Sequence, residues 1–166
     1  MTPASQKTIA KSSSVKTILL SGFVAGTLDI LAAFLVYSFV MKVATPLQIL
    51  HGIAAGMFGK TVIGNENIMA LIGLLLHYFI AYTFAILYFF IYPNIKFLHS
   101  NKIISGLLYG IFVWAVMNLI VVPLSNAYHG HFVLNSFLRA IIILMLCIGL
   151  PISLITAKYY KNQVNS

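Results

Sequence analysis

Apolar residues fill four stretches of the chain, approximately 16–42, 68–92, 103–124 and 133–158, and polar residues gather between them. Each stretch can cross a hydrocarbon layer of about 30 Å, which takes roughly 20 helical residues. None alternates with period two, and lipid offers no partner to an unpaired backbone group, so all four are predicted to be α-helices. Pro93 and Pro123 close the second and third. Gly149 and Pro151 lie inside the fourth, where a proline removes an intrahelical hydrogen bond and should kink the helix.

A fifth helix is predicted between the first two spans. Thr45, Pro46 and Gln48 read as N-cap, first-turn proline and capping-box partner. The helix should run over about 46–59, too short to span, and so lie at the interface or dip in and return. Gly64, Asn65, Glu66 and Asn67 form the turn and cap before the second span. Residues 1–15 are polar and predicted to be a mobile tail ahead of a single transmembrane domain over 16–160. A signal peptide is a poorer reading of the start, because the apolar stretch from Val15 to Val43 is far longer than a signal core and carries Asp29. The fold class is therefore an all-α membrane protein with four transmembrane helices and one short interfacial or re-entrant helix.

Composition agrees. Of 166 residues, 61% are hydrophobic and 7% charged, with mean hydropathy +1.00, far from the roughly 25% charged residues of a soluble domain. The net charge of +8 follows the flanks of the spans, which argues for topology rather than for nucleic acid as a partner. Lys7, Lys11, Lys16, Lys96, Lys102, Lys158 and Lys161 fall on one side, Lys42 and Lys60 on the other. The positive-inside rule then places both termini in the cytoplasm. Tyr92, Tyr109, Tyr159 and Tyr160 are expected at the inner interface. A weak internal echo pairs Ser21-Gly22-x-x-x-Gly26 with Ser105-Gly106-x-x-x-Gly110.

Candidate chemistry centres on Asp29, an acid at the middle of the first span, where insertion costs about 2.5–3.5 kcal/mol. Gly22, Ala25, Gly26, Ala32 and Ala33 share its helix face, so a neighbouring backbone can come close and Asp29 should face protein or water. Arg139, about 9 Å deep against about 18 Å for Asp29, is the expected counter-charge, directly or through water; snorkelling to the headgroups is its alternative. His77 lies on a stripe with Ala70, Gly73, Ala81 and Tyr88, and Asn118 lies level with Arg139. Four polar side chains from four helices in the outer half predict a polar pocket open to the outside. His51 on the short helix is a possible fifth member. Each is equally at home as a satisfied buried polar residue, and an Asp can serve simply to lock packing.

No HExxH, GxSxG, GxxxxGK[ST] or CxxC signature occurs, and Asp29 and Glu66 are the only acids, so an enzyme is disfavoured. No cofactor or metal is expected: haem on His51 and His77 has no further support, and His129-x-His131 lacks companion ligands. Cys147 reads as a small buried hydrophobe. The spacings Gly22/Gly26, Gly52/Gly56 and Gly106/Gly110 can pack the helices of one chain or join copies into a homo-oligomer.

Gly22-x-x-Ala25-Gly26-Thr27-x-Asp29, Ile53-Ala54-x-Gly56-x-x-Gly59, Gly73-Leu74-x-x-His77, Gly106-x-x-Tyr109-Gly110, Met117-Asn118 and Pro123-Leu124-Ser125 together resemble small uncharacterised bacterial inner-membrane proteins of the YagU type, over about residues 20–155. The resemblance implies a bacterial inner membrane and no agreed activity. His51 stands where such proteins commonly carry a basic residue. The sequence thus favours ion, proton or small-solute handling through Asp29, His77, Asn118 and Arg139. Its rival is a structural or accessory protein that uses its glycine faces to bind itself or a partner.

Overall fold

The computed structural model describes residues 3–59, 65–126 and 134–164. Eight α-helical segments succeed one another: α1 (Pro3–Ala33), α2 (Pro46–Phe58), α3 (Glu66–Ile91), α4 (Lys96–Ser100), α5 (Lys102–Val116), α6 (Val122–Leu124), α7 (Leu134–Leu144) and α8 (Leu150–Val164). Three π-helical segments join them: π1 (Phe34–Val40), π2 (Met117–Val121) and π3 (Met145–Gly149). Four continuous stretches are long and apolar enough to span a membrane, Ser14–Val40, Glu66–Asn94, Lys102–Leu124 and Leu138–Gln163. Three agree with the predicted spans to within about two residues. In the fourth, the helical path already begins with α7 at Leu134 and runs through π3 and α8 to Val164. From Pro3 onward the segment expected to be a tail continues α1, since extending an existing helix adds a hydrogen bond for each residue fixed.

Two π segments have a local cause in the sequence. A helical proline clashes with the carbonyl four residues before it. Pro123 follows π2 and Pro151 follows π3, each by two residues, so the displaced carbonyls are those of Leu119 and Cys147, inside the widened turns. The Val122 N–H donates to Met117 and the Leu150 N–H to Met145, five residues back. The kink expected at Pro151 thus takes the form of a π turn.

The short helix is built as its caps predict. The Thr45 N–H donates to Gln48 Oε1 at 2.8 Å and the Gln48 N–H to Thr45 Oγ1 at 3.2 Å. Gly59, at φ 70°, ends it in a conformation that suits glycine. Asn65 caps α3 through the Ile68 N–H at 3.0 Å. Helix α2 lies against the first turns of α3, where a side chain at Gly73 would overlap the Leu50 carbonyl.

Missing side chains set the helix spacing. A Cβ on Gly22 would strike the ring of Tyr82, and one on Gly26 would come within 3.0 Å of Tyr78 and 3.1 Å of Ala81, so α1 is seated on α3. A Cβ on Gly106 would lie 3.0 Å from the Gly149 carbonyl, one on Gly149 would overlap the Gly106 carbonyl, and one on Gly110 would strike the Met145 backbone. The first span therefore packs on the second, and the third on the fourth, through the two segments that echo one another in sequence. Gly52 has open space around it. The Gly56 carbonyl accepts the Asn126 N–H at 2.9 Å.

Between these pairs sits a core of Ala25, Phe84, Ala85, Tyr88, Val113, Ile148 and Ile152. Phe23, Leu31, Leu35, Leu71, Leu75, Phe79, Phe90 and Leu119 face outward, an apolar belt suited to lipid. Tyr92 and Tyr109, expected at the inner interface, are buried within the bundle. The Tyr109 hydroxyl reaches the Phe84 carbonyl at 2.7 Å, and the Tyr92 ring stacks on Tyr160. An aromatic ring fills the space between helices, and its hydroxyl can be satisfied internally.

Gly149→Val sets a branched side chain against the Gly106 backbone, which cannot rotate away, and is expected to cost about 1–3 kcal/mol. Thermal unfolding in detergent should show a lowered midpoint, while Gly52→Ala leaves it unchanged.

Candidate functional site

Asp29 lies one turn before π1, between buried Ala25, Gly26 and Ile30 on one face of α1. Phe23, Leu28 and Leu31 occupy the outward face. The carboxylate is partly buried, on the protein side of its helix, and within electrostatic reach of the His77 imidazole and of Cys147.

His77 reaches this place because α3 approaches α1 along the glycines. Its Nε2–H donates to the Gly26 carbonyl at 2.8 Å. A carbonyl can only accept, so the proton sits on Nε2, and Nδ1 of the neutral ring is left with a free lone pair. The Tyr78 ring meets His77 edge-on at 5.7 Å and stacks on Phe23 at 5.9 Å. Its hydroxyl bonds Thr27 Oγ1 at 2.8 Å. Gly26, Thr27 and Asp29 of α1 thus oppose His77 and Tyr78 of α3, and Cys147 of π3 flanks the carboxylate from the fourth span.

The other candidates are placed differently. Asn118, in π2, donates from Nδ2 to the Trp114 carbonyl of its own helix at 3.0 Å. Arg139 lies on α7 of the fourth span, eight residues before Cys147, and is half-buried. His51 donates from Nε2 to the Glu66 carbonyl at 2.6 Å and ties α2 to the start of α3. His129 and His131 lie outside the described residues. Among the described residues no group of three or more His, Cys, Asp or Glu side chains is placed to hold a metal ion.

A second polar cluster, buried near the opposite end of the bundle, escaped the sequence reading. The Tyr88 hydroxyl donates to Ser153 Oγ at 2.8 Å and bonds Ser105 Oγ at 2.6 Å, and Ser153 Oγ donates to the Lys102 carbonyl at 2.7 Å. Tyr88, Ser105 and Ser153 come from three different spans and are at most 3% exposed. The signal was weak but present. Tyr88 lies on the His77 stripe and Ser105 beside Gly106, yet Ser153 follows Pro151, where the helical register was hardest to carry forward.

A family model described as conserved membrane protein YqhR matches residues 3–161. No curated protein and no solved structure matches the chain.

Tyr88→Phe removes two interhelical hydrogen bonds and is expected to cost about 1 kcal/mol, given the roughly 0.6 kcal/mol average for such bonds in membranes. Ser153→Ala should cost less on its own, and the pair together less than the sum. A double-mutant cycle on thermal or denaturant unfolding checks this.

Proposed function

The chain belongs to the family of conserved membrane proteins YqhR, and on that premise we propose that it handles protons, or an ion coupled to them, through Asp29 and His77 inside a four-span bundle. The observation that carries the reading is a mid-span carboxylate on the face of α1 that packs against α3, within electrostatic reach of an imidazole held through Nε2–H by the Gly26 carbonyl. An acid in that position is costly unless it is used or paired. With Nε2–H engaged, a proton can enter His77 only at Nδ1, and the imidazolium it makes is balanced by the Asp29 carboxylate. A proton can equally rest on Asp29 with His77 neutral. The pair therefore has two nearly neutral arrangements, and passing between them needs no charge left alone in low dielectric.

In this proposal Asn118 and Arg139 line the approach to the pair and supply hydrogen bonds and positive charge to a solute, and His51 fixes the short helix beside it. The setting is a bacterial inner membrane with both termini cytoplasmic, supported by the seven lysines at one end of the spans against Lys42 and Lys60 at the other. Kinship with the YagU type rests on the short glycine-rich motifs alone.

A structural or accessory role has one observation in its favour. Gly52 faces open space on α2, so that face can accept a partner helix or a second copy, whereas Gly22, Gly26, Gly106 and Gly110 are already occupied within the chain.

Asp29→Asn keeps the shape and removes the charge. In proteoliposomes with an imposed pH gradient it should abolish proton-coupled flux while the protein still elutes and unfolds like the parent. Unchanged flux in a folded Asp29→Asn protein, or an absence of flux in the parent chain, would leave the accessory reading in its place.

A further inference from the structure

At the end of the bundle away from α2, a groove of about 1200 Å³ opens between the α3–α5 connection and the end of α8. Lys102, Lys158, Lys161 and His99 line it with Tyr92 and Tyr160, and no acid does. The chain has two acids in all, Asp29 and Glu66, so nothing in the groove offsets three ammonium groups. Its walls are fixed. The Tyr92 ring stacks on Tyr160 at 5.0 Å and meets His99 edge-on at 4.6 Å, and Ser153 holds the Lys102 backbone to α8.

One local rule is broken here. Helix N-termini favour acids, because the macrodipole is positive there, yet α5 begins with Lys102 and has no acid in its first turn. Asn101 Oδ1 accepts the Ile103 and Ile104 N–H groups at 3.1 and 3.2 Å, and the positive end of the helix still adds to the lysines. With two of its first amide N–H groups capped by Asn101, α5 contributes the positive end of its dipole rather than free donors, and no acid of the chain offsets it or the lysines. Asn101 and Gln163 add amide groups to the rim.

We propose that this groove seats the phosphate of an anionic phospholipid. Phosphate is the chemistry that three lysines and a helix N-terminus recognise together. A lipid is favoured over a free phosphate because the groove runs into apolar surface. Ile103 and Leu154 line it and are 53% and 40% exposed, where acyl chains would lie, and basic pockets between transmembrane helices hold lipid headgroups of this kind. The site is independent of Asp29 and His77, so it stands or falls separately from proton handling.

The test is native mass spectrometry of the full-length protein in a neutral detergent, titrated with phosphatidylglycerol, with phosphatidylcholine and with inorganic phosphate. Phosphatidylglycerol should be retained in preference to phosphatidylcholine, and each lysine replaced among Lys102→Gln, Lys158→Gln and Lys161→Gln should weaken it by about fivefold. These lysines are exposed, and the single Lys161→Gln variant, at the frayed end of α8, gives the same readout without risk to the fold. Lys42→Gln, at the other end of the first span, should change nothing. Equal retention of the two lipids, unaltered binding in the lysine variants, or displacement of phosphatidylglycerol by millimolar inorganic phosphate would overturn the proposal, the last by assigning the groove to the free ion.

Discussion

The arrangement depends on one close approach, that of α3 to the backbone of α1 where Gly22 and Gly26 leave no side chain between them. Van der Waals contact is the main force between helices once both are in lipid, because acyl chains are as apolar as leucine. A bundle in lipid therefore gains from bringing backbones together, and glycine sets how near they come. At Gly26 the approach is near enough for the His77 ring to bond a main-chain carbonyl. Asp29, three residues on and on the same face, comes within electrostatic reach of that ring as a consequence. The polar pair is a by-product of packing geometry in position, and a candidate for function in chemistry.

The same logic recurs on the other side of the bundle with different residues. Gly106 and Gly149 bring the third and fourth spans together, and the Tyr88, Ser105 and Ser153 hydroxyls join three spans close by. Each hydroxyl there is both donor and acceptor, which lets a small network satisfy itself without charge. The prolines contribute in a third way. By forcing π turns at Leu119 and Cys147 they re-aim the residues that follow, and π3 thereby carries Cys147 to the side of Asp29.

Much of the fold was legible because lipid enforces it. Twenty apolar residues in a row have few alternatives to a spanning helix, and Thr45, Pro46 and Gln48 specify the start of α2 through local hydrogen bonds alone. The inward faces were equally legible: Gly22, Ala25 and Gly26, and Ala70, Gly73 and Ala81, stand out as small-residue stripes. Contacts between helices were harder to read. Depth along a span can be counted, but rotation past a π turn cannot, so the level of Asn118 could be counted but not the turn of its amide back to the Trp114 carbonyl of its own helix. His51 found the Glu66 carbonyl for a similar reason, since the crossing of α2 over α3 is set by Gly73, far from it in sequence. For Tyr92 and Tyr109 the rule for tyrosine depth says nothing about which way the ring points, so their burial against neighbouring helices was not legible.

An isotope-edited solid-state NMR distance measurement on the protein in lipid bilayers tests the central contact most directly. The account predicts a strong dipolar coupling between the Gly26 carbonyl carbon and His77 Nε2, a bare Nδ1 on the neutral ring, and a through-space correlation from that ring to the Asp29 carboxyl carbon. A His77 ring protonated at Nδ1 and uncoupled from Gly26 would contradict it.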